Sequence, residues 1–303
     1  MTEAIAARKT APAGSSRFCE PLETAGAHRT RLFQSSLGLV ENLRCRGPRT
    51  RTSPAGFSPE FQVCLPYRGL FIWHVAGEDV VSDPNRVLFV SGGQAYRLSE
   101  PLPGGYAELI VTPALELLAE LLEIAAAGVR SHALFRGRSR RADLRLQLLR
   151  ARLLHRASAG TWDHLAAEEL VVAILRCALQ ADAPAREPGG STRRLIRRTK
   201  EFVETNLSEP FRLSDVACAV GASPAYLTHV FRRFEGLPLH KYALQSRLAR
   251  ALVELPHADD LTVLALDLGF SSHSHFAAAF RRAFGSTPSE FRASTRSWQR
   301  RIA

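Results

Sequence analysis

No run of about eighteen apolar residues occurs in this 303-residue chain, so the sequence offers no membrane span. The opening MTEAIAARKTAPAGSSR lacks the long apolar core of a signal peptide, which makes the cytoplasm the expected location. Cysteine is sparse: Cys19, Cys45, Cys64, Cys177 and Cys218 are odd in number, scattered, and form no C-x-x-C pair. That spacing argues against structural zinc and a disulfide framework and for separate thiols in a reducing compartment. Histidine is scarce where strands are expected, with His74 alone between Phe61 and Thr112. A metal-binding barrel needs several His and Glu on adjacent strands, so no metal and no cofactor is expected. No constellation of nucleophile and base stands out, and an enzyme is not expected.

What is present is positive charge. The formal balance is +11, with a pI of about 10.2. From Ser191 onward there are 17 Lys/Arg against 10 Asp/Glu, so the surplus lies mainly in the last third. A concentrated basic surplus suits a polyanion-binding surface. The 46% hydrophobic and 23% charged content is that of an ordinary globular protein, long enough for about two domains.

Residues 1–30, rich in Ala, Thr, Ser, Gly and Pro, are expected to form a disordered tail. A strand is expected near Leu32–Val40, then a basic loop over RCRGPRTRTSPAG. FQVCLPY, GLFIWHVAG, VLFVS, AYRLS and AELIVT are short apolar runs broken by Gly, Pro and Asn, as in a small sandwich or barrel. Trp73, His74, Phe89, Tyr96 and Arg97 are candidates to line a ligand pocket there, with His74 alternatively a satisfied core residue. Residues 113–127, 140–157 and 162–181 read as helices, the second with Leu144, Leu148, Leu149 and Ala151 on one face and arginines opposite. A Leu stripe on such helices could meet a second copy or pack internally. DAPAREPGGS marks a domain boundary, so 31–181 forms a sensor and association domain and 182–192 a linker. The helix that follows should bury Leu195, Phe202 and Val203 and expose Arg193, Arg194, Arg197, Arg198 and Lys200.

The most informative stretch is LTVLALDLGFSSHSHFAAAFRRAFGSTPSEFR, Leu261 to Arg292. Leu261, Leu264, Ala265 and Leu268 give one apolar helix face, and Gly269 suits a left-handed C-terminus. Ser271 can cap a second helix carrying Phe276 and Phe280. Two short helices around a tight glycine turn make a helix-turn-helix. Leu213, Val216, Ala217, Val220 and Gly221 show the same spacing 48 residues upstream, and Phe231-Arg232-Arg233 matches Phe280-Arg281-Arg282. In the first unit Ser214 and Ser223 are candidate N-caps, with Pro224 at the first helical position. The segment 238–255 reads as a helix joining the units, buried through Tyr242, Leu248, Ala249 and Leu252.

These two units, and the GF…F…FRRAFG…P…FR ending, resemble the DNA-binding region of AraC/XylS-type transcription regulators. The resemblance covers residues 193–303, with helix-turn-helices at 213–235 and 261–284. It implies an α+β chain: an N-terminal cupin-like β-barrel plus helices, then an all-α C-terminal domain with two helix-turn-helix units. It implies double-stranded DNA as partner, a small-molecule effector, RNA polymerase and a homodimer. The positions matching DNA contacts are Ala225, Thr228, His229 and Arg232, then His273, Ser274, Ala277, Ala278 and Arg281. Ala277 and Ala278 stand where the family often has longer polar chains. The second unit is therefore expected to grip backbone and shape, leaving sequence mainly to the first. His275 is expected on the inner face. The rival readings are a Cys-dependent DNA-repair protein and a non-specific nucleoid protein.

Overall fold

The computed structural model describes residues 27–47, 52–124, 137–158, 163–180 and 189–300. Its N-terminal part holds ten strands: β1 (Ala27–Ser35), β2 (Gly38–Cys45), β3 (Gly56–Phe57), β4 (Gln62–Arg68), β5 (Phe71–Val75), β6 (Glu78–Ser82), β7 (Arg86–Val90), β8 (Ala95–Ser99), β9 (Tyr106–Pro113) and β10 (Ser139–Arg141). They form two antiparallel sheets, ordered β1-β2-β9-β4-β7-β10 and β3-β8-β5-β6. Between the sheets pack Phe71, Trp73, Val75, Leu88, Val90, Tyr106 and Ile110. The other face of the larger sheet, through Val63, Leu65, Phe89, Leu109 and Val111, is covered by helices. That is why all eight residues of β9 are buried: both of its faces are covered.

The covering helices are α1 (Leu115–Leu121), α2 (Leu144–Ser158) and α3 (His164–Leu179). Seven α-helices follow among the described residues: α4 (Gly190–Thr205), α5 (Leu213–Val220), α6 (Pro224–Glu235), α7 (Leu239–Glu254), α8 (Leu261–Asp267), α9 (His273–Phe284) and α10 (Pro288–Arg300). A 3-10 turn, Leu255–His257, links α7 to α8. Val203, Val216, Ala217, Leu227, Phe231 and Tyr242 make the core of the first unit. Leu252, Leu264, Ala265, Phe276, Phe280 and Phe291 make that of the second. The chain is thus α+β, sheets first and helices last.

Helix α2 belongs to both parts. Leu146 and Leu153 face the sheet, while Ala151 and Leu148 enter the core of the second unit. His155 donates from Nε2 to the Leu252 carbonyl at 2.7 Å and stands edge-on to Phe291. Gln147 and Arg150, on the ridge between the two apolar faces, are buried as well.

Several expectations change. The single strand near Leu32–Val40 is a hairpin, β1 and β2, turning at Ser36-Leu37. Gly38, which opens β2, lets it lie against β9: its φ is +140°, and a Cβ there would meet the Thr112 carbonyl at 2.3 Å. Strand β1 starts inside the proposed 1–30 tail; residues 1–26 lie outside the described residues. Of the 182–192 linker, Gly190 onward is helix and 182–188 lie outside the described residues. Residues 125–127 of the first expected helix also lie outside them. Lys200 is not exposed: its relative exposure is 1%, against Asp83 and Glu235. Nor do all arginines of α2 face solvent, because Arg150 donates to the Pro66 and Pro84 carbonyls.

Candidate nucleic-acid interface

Each helix-turn-helix is closed by identifiable local chemistry. In the first, Arg212 is the N-cap of α5, and its N–H donates to Asp215 Oδ2 at 2.7 Å. Ser214 is therefore already inside the helix. Gly221, at φ +69°, ends α5, and Ser223 Oγ accepts from Tyr226 N to open α6. In the second, Asp260 Oδ1 accepts from Thr262 N and Val263 N. Gly269 makes the turn at φ +77°, where a Cβ would stand 2.6 Å from the Leu207 carbonyl. The cap of α9 is Ser272, one residue later than expected, accepting from His275 N at 3.1 Å. Ser271 instead bonds the His275 ring. His275 is exposed rather than inward, its ring edge-on to Phe270 at 5.4 Å.

Phe231 and Leu227 fix α6 inward, leaving Ala225, Tyr226, Thr228, His229, Arg232 and Arg233 exposed. Ala225, Thr228, His229 and Arg232 line one shallow concavity of about 750 Å³, together with Leu213, Pro224 and Arg233. Thr228 Oγ1 donates to the Pro224 carbonyl at 2.8 Å, so its oxygen remains to accept. Phe276 and Phe280 anchor α9 the same way. Ser274, Ala278 and Arg281 are exposed, and His273 and Ala277 half-buried. Both helices carry an Arg pair in their last turn, followed by a left-handed glycine, so cations lie at the negative helix end.

Sequence reasoning missed Leu213 and Arg233. Leu213 repeats the position of Leu261, which is buried, yet it is 40% exposed beside α6. Arg233 follows four residues after His229, a spacing that puts both on neighbouring surface.

The five pocket candidates fall on three surfaces. Trp73 and Tyr96 meet inside the sandwich, ring centroids 6.1 Å apart. His74 points out of the smaller sheet, bonded to Asp79 and Ser99, opposite Arg97. Phe89 lies on the helix-covered face of the other sheet. Another concavity, of about 910 Å³, separates the sheets from the second unit. Arg44, Arg46 and Arg68 stand on its sheet wall, and Glu254, Asp259, Asp260 and Asp267 on its helical wall.

Residues 216–294 match the model of a helix-turn-helix domain family. The regulatory protein SoxS of Salmonella typhimurium is 34% identical over 103 residues, 34% of this chain and 96% of SoxS. The regulatory protein PocR of the same organism is 31% identical over 98 residues, 32% of each chain. The chain thus spans about a third of the length of PocR and nearly all of SoxS. A crystal structure of a transcriptional regulator from Chromobacterium violaceum, described as having an AraC-type DNA-binding domain, is 34% identical. It covers 36% of this chain and 96% of that one, with a TM-score of 0.33.

Proposed function

This chain belongs to the AraC/XylS family of transcription regulators, and we propose from that membership that it reads specific duplex DNA with α6 and α9. The observation that carries the reading is the pair of capped units whose outward helix faces are exposed in the full chain. Ala225, Thr228, His229 and Arg232 address one major-groove segment, and His273, Ser274, Ala277, Ala278 and Arg281 the next. Helix α7, buried through Tyr242, Leu248, Ala249 and Leu252, is the spacer. Successive major-groove faces lie about 34 Å apart, which suits two readers on one chain.

Residues 27–180 are the sensor part. A small-molecule effector acting at the cleft between β2, β4, β9 and α8 would touch both parts, and its walls of opposite charge suit a solute with an anionic and a cationic end. Association of two copies through α3, where Leu165 is exposed, and contact with RNA polymerase belong to the same reading. Selection of duplexes by the full chain from a randomised pool tests it. A shared motif that outcompetes random DNA supports specific regulation; equal competition by random DNA returns the protein to the non-specific nucleoid class.

A further inference from the structure

The turn between β6 and β7, Asp83-Pro84-Asn85, has the composition of a surface turn but is buried. It presses against the first helix-turn-helix through a chain of four alternating charges. Asp83 Oδ2 accepts from Lys200 Nζ at 2.9 Å. Lys200 Nζ lies 3.0 Å from Glu235 Oε2, and Glu235 Oε1 accepts from Arg86 Nη2 at 2.7 Å. Beside it, Asn85 Nδ2 donates to Ser246 Oγ at 2.7 Å, and Gln147 Nε2 donates to Asn85 Oδ1 at 2.9 Å. Asp83, Asn85 and Arg86 come from the sheets, Gln147 from α2, and Lys200, Glu235 and Ser246 from the DNA-binding part.

The pairings decide what this contact can do. Glu235 is the last residue of α6, three positions beyond Arg232 and six beyond His229. Its carboxylate is held from the sensor side by Arg86 and from α4 by Lys200. Removing one partner from a buried ion group leaves a charge without compensation, so the group accepts few alternative arrangements. A buried ionic contact is a poor source of net stability, but it fixes geometry. Hydrophobic packing alone would let α6 pivot about Phe231; two directed bonds at its end do not.

We propose that Arg86 and Asp83 are positioning residues for DNA recognition: acting through Glu235 and Lys200, they set the angle at which α6 presents His229 to the bases. The β6–β7 turn is then the lever by which the sensor part reaches the first reader. The second reader is held differently, by the apolar face of α2. A displacement of the turn therefore alters base reading in one half of the site and leaves the other half alone.

The inference rests on the proposed DNA reading, and a double-mutant cycle in the full chain separates the two. The probe is the duplex that the wild-type chain selects from a random pool. Arg86→Met should weaken binding about tenfold, yet less than about threefold in a His229→Ala background, because a misaimed helix has less left to lose. In an Arg281→Ala background the full loss should remain, since α9 is anchored elsewhere. Arg86→Lys keeps the buried charge without the guanidinium fork and runs the same cycle should Arg86→Met not fold. Equal losses in all three backgrounds, with only a lower melting temperature, would overturn the positioning role. A wild-type chain that selects no duplex would overturn the DNA reading and this inference together.

Discussion

Glu108 points into the sandwich, its Oε2 without a hydrogen-bond partner among the described residues, and burial pushes its carboxyl up to about 7, Arg29 offsetting part of the effect. Below about pH 4.5 the acid is protonated folded and unfolded alike, and contributes no pH dependence. Between 4.5 and 7 the unfolded chain releases the proton and the folded chain keeps it, so stability falls as pH rises. Glu108→Gln should therefore stabilise the protein by about 2–3 kcal/mol at pH 8 and hardly at all near pH 4.5. Urea titrations at both pH values measure this, and the same gain at each would refute the assignment. On the DNA side, His229→Ala should lower discrimination between the selected duplex and a mutated one, by about 1–3 kcal/mol at one position. Arg281→Ala should weaken both duplexes alike and flatten the salt dependence by about one unit. Binding titrations at several salt concentrations separate them; the reverse assignment would mean that α9 reads the bases. The exposed positions of α6 were legible because Leu227, Val230 and Phe231 fix its inner face at helical spacing. Lys200 was not. In an Arg-rich amphipathic helix its charge places it outside, and Asp83, 117 residues upstream, together with Glu235 explains why it is inside.

At the scale of elements, duplication made the two helix-turn-helices legible: the Leu213–Gly221 pattern returns as Leu261–Gly269, and the Phe231–Gly236 ending returns as Phe280–Gly285 after a slip of one residue. Their ends were less so. SSHSH holds three serines, two of them ahead of the helix, and the bond from His275 N selects Ser272 as the cap. Ser272→Ala should cost about 1 kcal/mol and Ser271→Ala appreciably less. Thermal melts of both compare them directly, and a costlier Ser271 change would reinstate the earlier helix start. Leu264→Asp puts an unpaired charge among Leu252, Ala265 and Phe276 and should cost several kcal/mol. A normal melting curve for that variant would be incompatible with the register of α8. In the N-terminal part the strands between Gln62 and Pro113 follow their β-branched and aromatic runs. β6, β3 and β10 did not stand out, because EDVVS, GF and SRR are too short or too polar to show a period without their partner strands.

At the scale of the whole molecule, residues 192–303 should fold and prefer their site over random duplex when made alone, because both helical cores draw mainly on that segment. The margin should be smaller than in the full chain, since Arg86 no longer holds Glu235. Competition binding by the fragment checks both statements, and binding without any preference would make specificity depend on the N-terminal part. The packing of α2 against α7, α9 and α10 has a further consequence, for synthesis. Asn85 and Ser246 are 161 residues apart, and His155 and Leu252 are 97 apart. At the ribosome's pace of about 5–20 residues per second, the β6–β7 turn waits roughly ten to thirty seconds for its partners. During that interval the nascent N-terminal part displays the buried turn and the Leu148–Ala151 face to water. A chain stopped after residue 180 keeps that face permanently. It should precipitate on expression, and residues 189–303 supplied in trans should bring it back into solution.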